Sequence, residues 1–342
     1  MEQVILKGVP RRHAVRINLL FRKTETPGVL PVERKGFEVR EGNIRVRILV
    51  TGNRGLLGRD LVPMLEREGY AVDGADADTL DITQENQIRQ AIDSRRPNLV
   101  INCAAYTAVD GAESEKEKAF AVNRDGAGFL AKACARSELP MIHLSTDYVF
   151  DGTKRSPYVE NDPARPLSTY GLSKWEGERA IRSCLEEHVI LRTSWLFGTY
   201  GQNFVKTILR LAKERDSLRV VADQEGCPTW AGDLSRALTC LAGEIFRDKK
   251  SVPWGTYHFC GKGQTTWYDF AISILEEGRK RAQLKAVRVT PIRTSDYPTP
   301  AKRPTWSVLD CGKIERTFAI HPRPWLEGLL NVLDTLLLKN PS

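Results

Sequence analysis

Tyr170 and Lys174 stand four residues apart, a spacing that puts a phenol and an ammonium on one face of a helix. Such a pair can deliver a proton. Reduction of a ketone by hydride leaves an alkoxide that must be protonated, and a free tyrosine with a pKa near 10 is a sluggish partner at neutral pH. Lys174 beside the phenol would favour its ionised form and draw that pKa towards neutrality. A Tyr-x-x-x-Lys pair arises by chance in a chain with nine tyrosines, so it needs company. The company is Ser145-Thr146-Asp147, which closes an apolar run upstream of Tyr170. Thr146 at that strand end would hold the carbonyl oxygen through its hydroxyl and align it with the phenol.

A hydride donor has its own signature. Gly52-Asn53-Arg54-Gly55-Leu56-Leu57-Gly58 follows the first buried run directly. The first glycine allows the tight turn, the second lets backbone N–H groups approach a pyrophosphate, and the third lets helix and strand pack closely. Gly52, Arg54, Gly55, Leu56, Leu57 and Gly58 are therefore candidate contacts to a nicotinamide dinucleotide, whose ribose Lys174 would also reach. Asp76, ending the second strand, stands where a carboxylate accepts from the adenosine ribose hydroxyls of NADH, whereas Arg54 can pair with the 2′-phosphate of NADPH. The two signals conflict, and both cofactors stay open. Asp81 with Ile82, and Ala104-Ala105-Tyr106 after the third strand, fall where adenine and nicotinamide-side contacts belong.

These groups must be positioned by a parallel sheet. Ile44 to Val50 reads as a strand entering a buried sheet, and further strands are expected at 70–75, 99–103, 141–145 and 189–192. Helical patterns at 52–68, 85–94, 115–136 and 170–183 lie between them, which predicts right-handed crossovers. The expected fold is α/β: a Rossmann-like doubly wound parallel sheet over residues 44–195, with a smaller mixed α/β substrate lobe over 196–342. Helices are expected at 204–214, 234–246, 267–281 and 326–338, and the stretch of about 233–260 should return to the Rossmann domain. Residues 1–43 read as a loosely ordered extension, or as the result of a start codon upstream of the true one, and should carry no chemistry.

Composition removes several alternatives. With 41% hydrophobic and 27% charged residues this is an ordinary globular chain, and no run approaches the length of a membrane span. Half of the net charge of +8 sits in residues 1–43, and no helix-turn-helix, RNP-like or metal-knuckle pattern accompanies it, so no nucleic-acid partner is expected. Seven cysteines without a C-x-x-C pair suit a reducing, cytoplasmic compartment, and five histidines without H-x-x-x-H supply no metal ligand set.

With these motifs placed, the chain resembles the extended short-chain dehydrogenase/reductases and, within them, the dTDP-4-dehydrorhamnose reductases. The resemblance runs from about Ile44 to the C-terminus. It rests on Asn102 to Asp110 (NCAAYTAVD), Ser145 to Gly152 (STDYVFDG), Tyr170 to Lys174 (YGLSK), Arg192 to Trp195 (RTSW) and Asp223 to Thr229 (DQEGCPT). It implies that Tyr170 donates the proton, that Thr146 and Lys174 assist, and that Val109, Thr146, Asp147 and Trp195 line a sugar site for a dTDP-linked substrate. This chain departs from the family in Arg303-Pro304-Thr305-Trp306-Ser307, where Trp306 stands in place of the Asn that relatives often have before the Ser. Some relatives dimerise around magnesium held by glutamates. Asp60 matches one such position and the other is shifted to Glu327, so no metal is assigned, and monomer and homodimer both stay open. A sugar-nucleotide 4,6-dehydratase should show Thr-Asp-Glu, and this chain has Tyr148 in the third place. Two other readings remain: a reductase of another nucleotide sugar, and a non-catalytic subunit resembling the regulatory subunit of methionine adenosyltransferase, which lacks the Arg-Thr-Ser-Trp segment.

Overall fold

The run Ile48-Leu49-Val50 is wholly buried because its side chains feed both faces of one sheet. Ile48 and Val50 pack with Leu61, Leu65, Leu238 and Leu241 on one side. Leu49 packs with Ile88, Leu130 and Ile181 on the other. The computed structural model describes residues 46–284 and 288–338, so the expectation for residues 1–43 lies outside the described residues.

The sheet contains β1 (Arg47–Thr51), β2 (Ala71–Ala75), β3 (Leu99–Asn102), β4 (Met141–Thr146), β5 (His188–Thr193) and β6 (Gly255–His258). All are parallel, in the order β6-β5-β4-β3-β1-β2. The order reverses between β1 and β3, and a crevice forms at such a switch point beyond the strands' carboxyl ends. The flanking helices are α1 (Gly58–Arg67), α2 (Glu85–Arg95), α3 (Lys116–Phe120), α4 (Ala127–Arg136) and α5 (Thr169–Arg182). Helix α5 starts where Ser168 caps it by accepting from the Gly171 N–H at 3.2 Å.

After β5 the chain builds α6 (Phe204–Glu214), α7 (Ala231–Arg247), α8 (Trp267–Arg279) and α9 (Trp325–Leu337). Helix α7 packs on the sheet with α1. Helices α6, α8 and α9 share a separate apolar cluster around Phe197, Phe270 and Leu329. A two-stranded parallel pair, Ser217–Val221 with Arg288–Ile292, lies beside them.

One expected element divides. The helix predicted over 115–136 is α3, a π-helical turn at Ala121–Gly126, and α4. The wide turn carries Asn123 inward, where its amide donates to the Tyr106 carbonyl at 3.0 Å and to Ser173 Oγ at 2.9 Å, while its Oδ1 accepts from the Tyr106 N–H. One side chain thus ties the loop after β3 to α5, a use of π-turns found at functional sites.

Candidate active site

The turn after β1 approaches the loop after β3 so closely that only glycine fits. Gly52 has φ +71°, and a Cβ there would lie 2.8 Å from the Ala104 backbone nitrogen. A Cβ on Gly58 would lie 2.4 Å from the Gly52 carbonyl oxygen, so α1 starts in contact with the strand end. Gly52→Ala is expected to cost more than about 1 kcal/mol of stability, because the new residue meets both a left-handed φ and a backbone wall. Thermal unfolding measures this, and an unchanged midpoint would contradict the packing described.

From this turn a cavity of about 680 Å³ extends along the carboxyl edge of the sheet. Gly52, Gly55, Leu56, Leu57 and Gly58 line it at one end, with Asp76, Asp81 and Ile82. Ala104, Ala105, Tyr106 and Val109 follow from the loop after β3, then Thr146, Asp147, Tyr170, Lys174 and Trp195. Arg54 alone among the sequence-selected residues is outside the lining. Its backbone N–H donates to Asp76 at 3.1 Å, and its exposed guanidinium pairs with Asp76 and Asp78. The conflict between Arg54 and Asp76 read in the sequence is thus a physical ion pair, with Asp78 as an additional member.

Tyr170 projects from α5 to Thr146 at the end of β4, and Lys174 reaches the same strand at Leu144 and His143. Burial pushes the Tyr170 phenol up to about 12, partly offset by its hydrogen bond with Thr146 and reinforced by the Asp147 charge. The expected lowering by Lys174 is therefore not what the structure gives. Lys174 Nζ instead donates to the Leu144 carbonyl at 2.7 Å and lies 3.2 Å from His143 Nε2. Burial pulls Lys174 down to about 8, against the charges of Glu178 and Cys103. Thr146 Oγ1 donates to Asp147 at 3.1 Å and accepts from the Tyr148 N–H. Asp147 is buried with one carboxylate oxygen unpartnered, and desolvation raises it to about 7 despite hydrogen bonds from Ser307 and Thr146.

A buried ion pair supports this edge from below. Glu178, one turn beyond Lys174, accepts from Ser145 Oγ at 2.6 Å and from Arg192 Nε and Nη2 at 2.9 and 2.7 Å. Arg182 donates to it as well. Burial would raise the Glu178 carboxyl, but Arg192, Arg182 and Ser145 hold it below the usual range. The cluster ties β5 to β4 and α5, the elements that carry Thr146, Tyr170 and Lys174.

Trp195 sits at φ +45°, a conformation that costs an L-residue roughly 1–3 kcal/mol and concentrates at functional sites. It is held there by neighbours of which Trp267 lies outside every motif quoted above. Its ring stacks on Trp267 with centroids 3.6 Å apart and planes at 6°, and Gly226 abuts the indole. Ser194 Oγ donates to the Cys227 carbonyl at 2.6 Å. Lys118, Tyr148 and Trp267 also line the cavity. Arg303 forms a bidentate pair with Asp110, and a hydrogen bond links it to Tyr148. No local pattern marks Trp267, which reaches the site from a distant segment, and the motif that contains Arg303 does not show that it pairs with Asp110. Among the described residues no cluster of three or more His, Cys, Asp or Glu side chains is placed to hold a metal ion, and no helix is long and apolar enough to cross a membrane.

A parallel sheet with a glycine turn at its switch point, and a Tyr-x-x-x-Lys helix opposite a strand-end hydroxyl, define a Rossmann-fold oxidoreductase of the short-chain dehydrogenase/reductase type. The model of the RmlD substrate binding domain family matches residues 46–338. A dTDP-4-dehydrorhamnose reductase from Aggregatibacter actinomycetemcomitans is 48% identical over 288 residues, covering 84% of this chain and 98% of the relative. The enzyme of the same name from Sinorhizobium fredii is 43% identical, covering 86% and 99%. Among solved structures, the dTDP-4-dehydrorhamnose reductase of Bacillus anthracis in complex with NADP superposes with a TM-score of 0.78 at 36% identity, covering 84% of this chain and 99% of that one. The chain belongs to the dTDP-4-dehydrorhamnose reductase family. It is an NAD(P)H-dependent oxidoreductase.

Proposed function

We propose that this protein reduces the 4-keto group of dTDP-4-dehydro-L-rhamnose to give dTDP-L-rhamnose, with Tyr170 as proton donor and Thr146 and Lys174 as its assistants. The observation that carries the reading is the convergence of phenol, amine, hydroxyl and glycine turn on one cavity. The Gly52 cradle, which a Cβ would fill, fits a dinucleotide pyrophosphate, and the walls from Asp76 to Tyr106 fit the rest of that cofactor. Bound there, the reduced nicotinamide supplies the hydride.

The protein's own groups do the remainder. Thr146 holds the C4 oxygen and Tyr170 protonates it as negative charge develops, which a phenol still protonated throughout the neutral range is suited to do. Lys174 as an ammonium stabilises the phenolate left behind. Val109, Asp147 and Trp195 bound the sugar, with Trp195 braced by Trp267. No step uses magnesium, and the scheme runs in a cytoplasmic monomer or homodimer alike. The test is consumption of NADPH with dTDP-4-dehydro-L-rhamnose. Saturable turnover to dTDP-L-rhamnose is expected. Turnover with another keto sugar nucleotide and none with this one would refute the assignment.

Both reduced cofactors are accepted in this reading, Arg54 serving the 2′-phosphate of NADPH and Asp76 the hydroxyls of NADH. Arg54→Ala is expected to weaken NADPH binding by about tenfold, the scale of one charge-assisted hydrogen bond, and NADH binding much less. Fluorescence titration of each cofactor checks this. An equal loss for both would remove Arg54 from the discrimination.

A further inference from the structure

The partners of Lys174 form a buried chain. His143 and Asn102 are each 1% exposed and Lys174 is 2% exposed. His143 Nε2 lies 3.2 Å from Lys174 Nζ, and His143 Nδ1 lies 3.0 Å from Asn102 Nδ2. The direction of every link follows from the one before it. The Ala104 backbone N–H can only donate, and it meets Asn102 Oδ1 at 3.1 Å, where Thr51 Oγ1 also donates at 2.7 Å. Turning the amide over would set two N–H groups against each other, so the Asn102 NH₂ faces His143. Nδ1 therefore accepts, and the neutral ring carries its proton on Nε2. An Nε2–H pointing at Lys174 finds a lone pair only on a neutral amine, because an ammonium has three N–H bonds and none to spare.

We infer that His143, held as its Nε2–H tautomer by the Ala104 N–H through Asn102, is the positioning residue that biases Lys174 towards the neutral amine. This deepens the reductase reading, in which Lys174 serves Tyr170. A hydrogen bond made only to the neutral form disfavours the charged one, and it acts in the same direction as burial. Glu178 on the same helix and Cys103 after β3 act against it. On the histidine side, burial, Lys174, His188 and Arg182 all oppose a charged ring. Lys174 thus changes charge near pH 8, an ammonium donating to the Leu144 carbonyl below it and an amine accepting from His143 above it.

The test is NMR of the full chain without added cofactor, labelled at the histidine ring nitrogens and the lysine ε-carbon. His143, identified through its contact with Lys174, should be neutral with its proton on Nε2 across the neutral range. Lys174 should titrate with a midpoint near 8. In His143→Gln the side-chain amide can turn to accept from an ammonium, so the Lys174 midpoint should rise by about one unit, a tenfold gain in proton affinity. A proton on Nδ1, a cationic ring, or an unchanged midpoint in His143→Gln would overturn the inference. Should the variant fail to fold, the tautomer in the unmodified chain decides by itself. These signals are independent of turnover, so failure of the reductase reading would be seen separately.

Discussion

Tyr170→Phe lowers kcat by about 10²-fold or more, the scale of losing a positioned general acid. The change removes one oxygen and little else. The ring keeps its edge-on contact with Tyr148, at 5.6 Å between centroids and 76° between planes, so the fold and KM should barely respond. The phenol's raised pKa means that its proton is present throughout the neutral range. The alkaline limb of the wild-type pH profile should accordingly follow loss of the Lys174 proton near pH 8 and not ionisation of Tyr170. Steady-state kinetics across pH checks both statements, and a Tyr170→Phe enzyme with unchanged turnover would remove the assignment.

Glu178→Gln destabilises the protein by about 3–5 kcal/mol, the usual cost of leaving one member of a buried ion pair uncompensated. Arg192 is 2% exposed and has its Nε and Nη2 committed to this carboxylate, so an amide leaves its charge sealed in the core. The penalty falls on the junction of β4, β5 and α5, and the alignment of Thr146 with Tyr170 should loosen along with the stability. Denaturant unfolding read beside kcat tests the pair of effects. A loss below about 1 kcal/mol would mean that the ion pair is dispensable.

The sheet and most of its helices were readable from pattern because their periods are strong. Helix α6 falls where the spacing predicts it, and the sheet's last strand, β6, spans Gly255–His258, for which no separate strand was expected. The π-turn at Ala121–Gly126 was not foreseen, since helical periodicity continues through it and only the inward Asn123 breaks it. The pair Ser217–Val221 and Arg288–Ile292 also escaped, being a short non-local pairing that includes Pro291. At the site, residues adjacent to strand ends could be located because chain order puts them there. Trp267, the Arg303–Asp110 pairing and the linkage of Thr51, Asn102 and His143 could not. They depend on contacts between distant segments, or on a side chain such as His143 that looks like ordinary strand core until its neighbours are known.

The central claim is tested most directly by the fate of a label. NADPH carrying deuterium at the transferable nicotinamide position, incubated with this protein and dTDP-4-dehydro-L-rhamnose, should yield dTDP-L-rhamnose with deuterium on C4 and a hydroxyl proton from solvent. Deuterium at another carbon, or oxidised cofactor without a reduced sugar, would contradict the account.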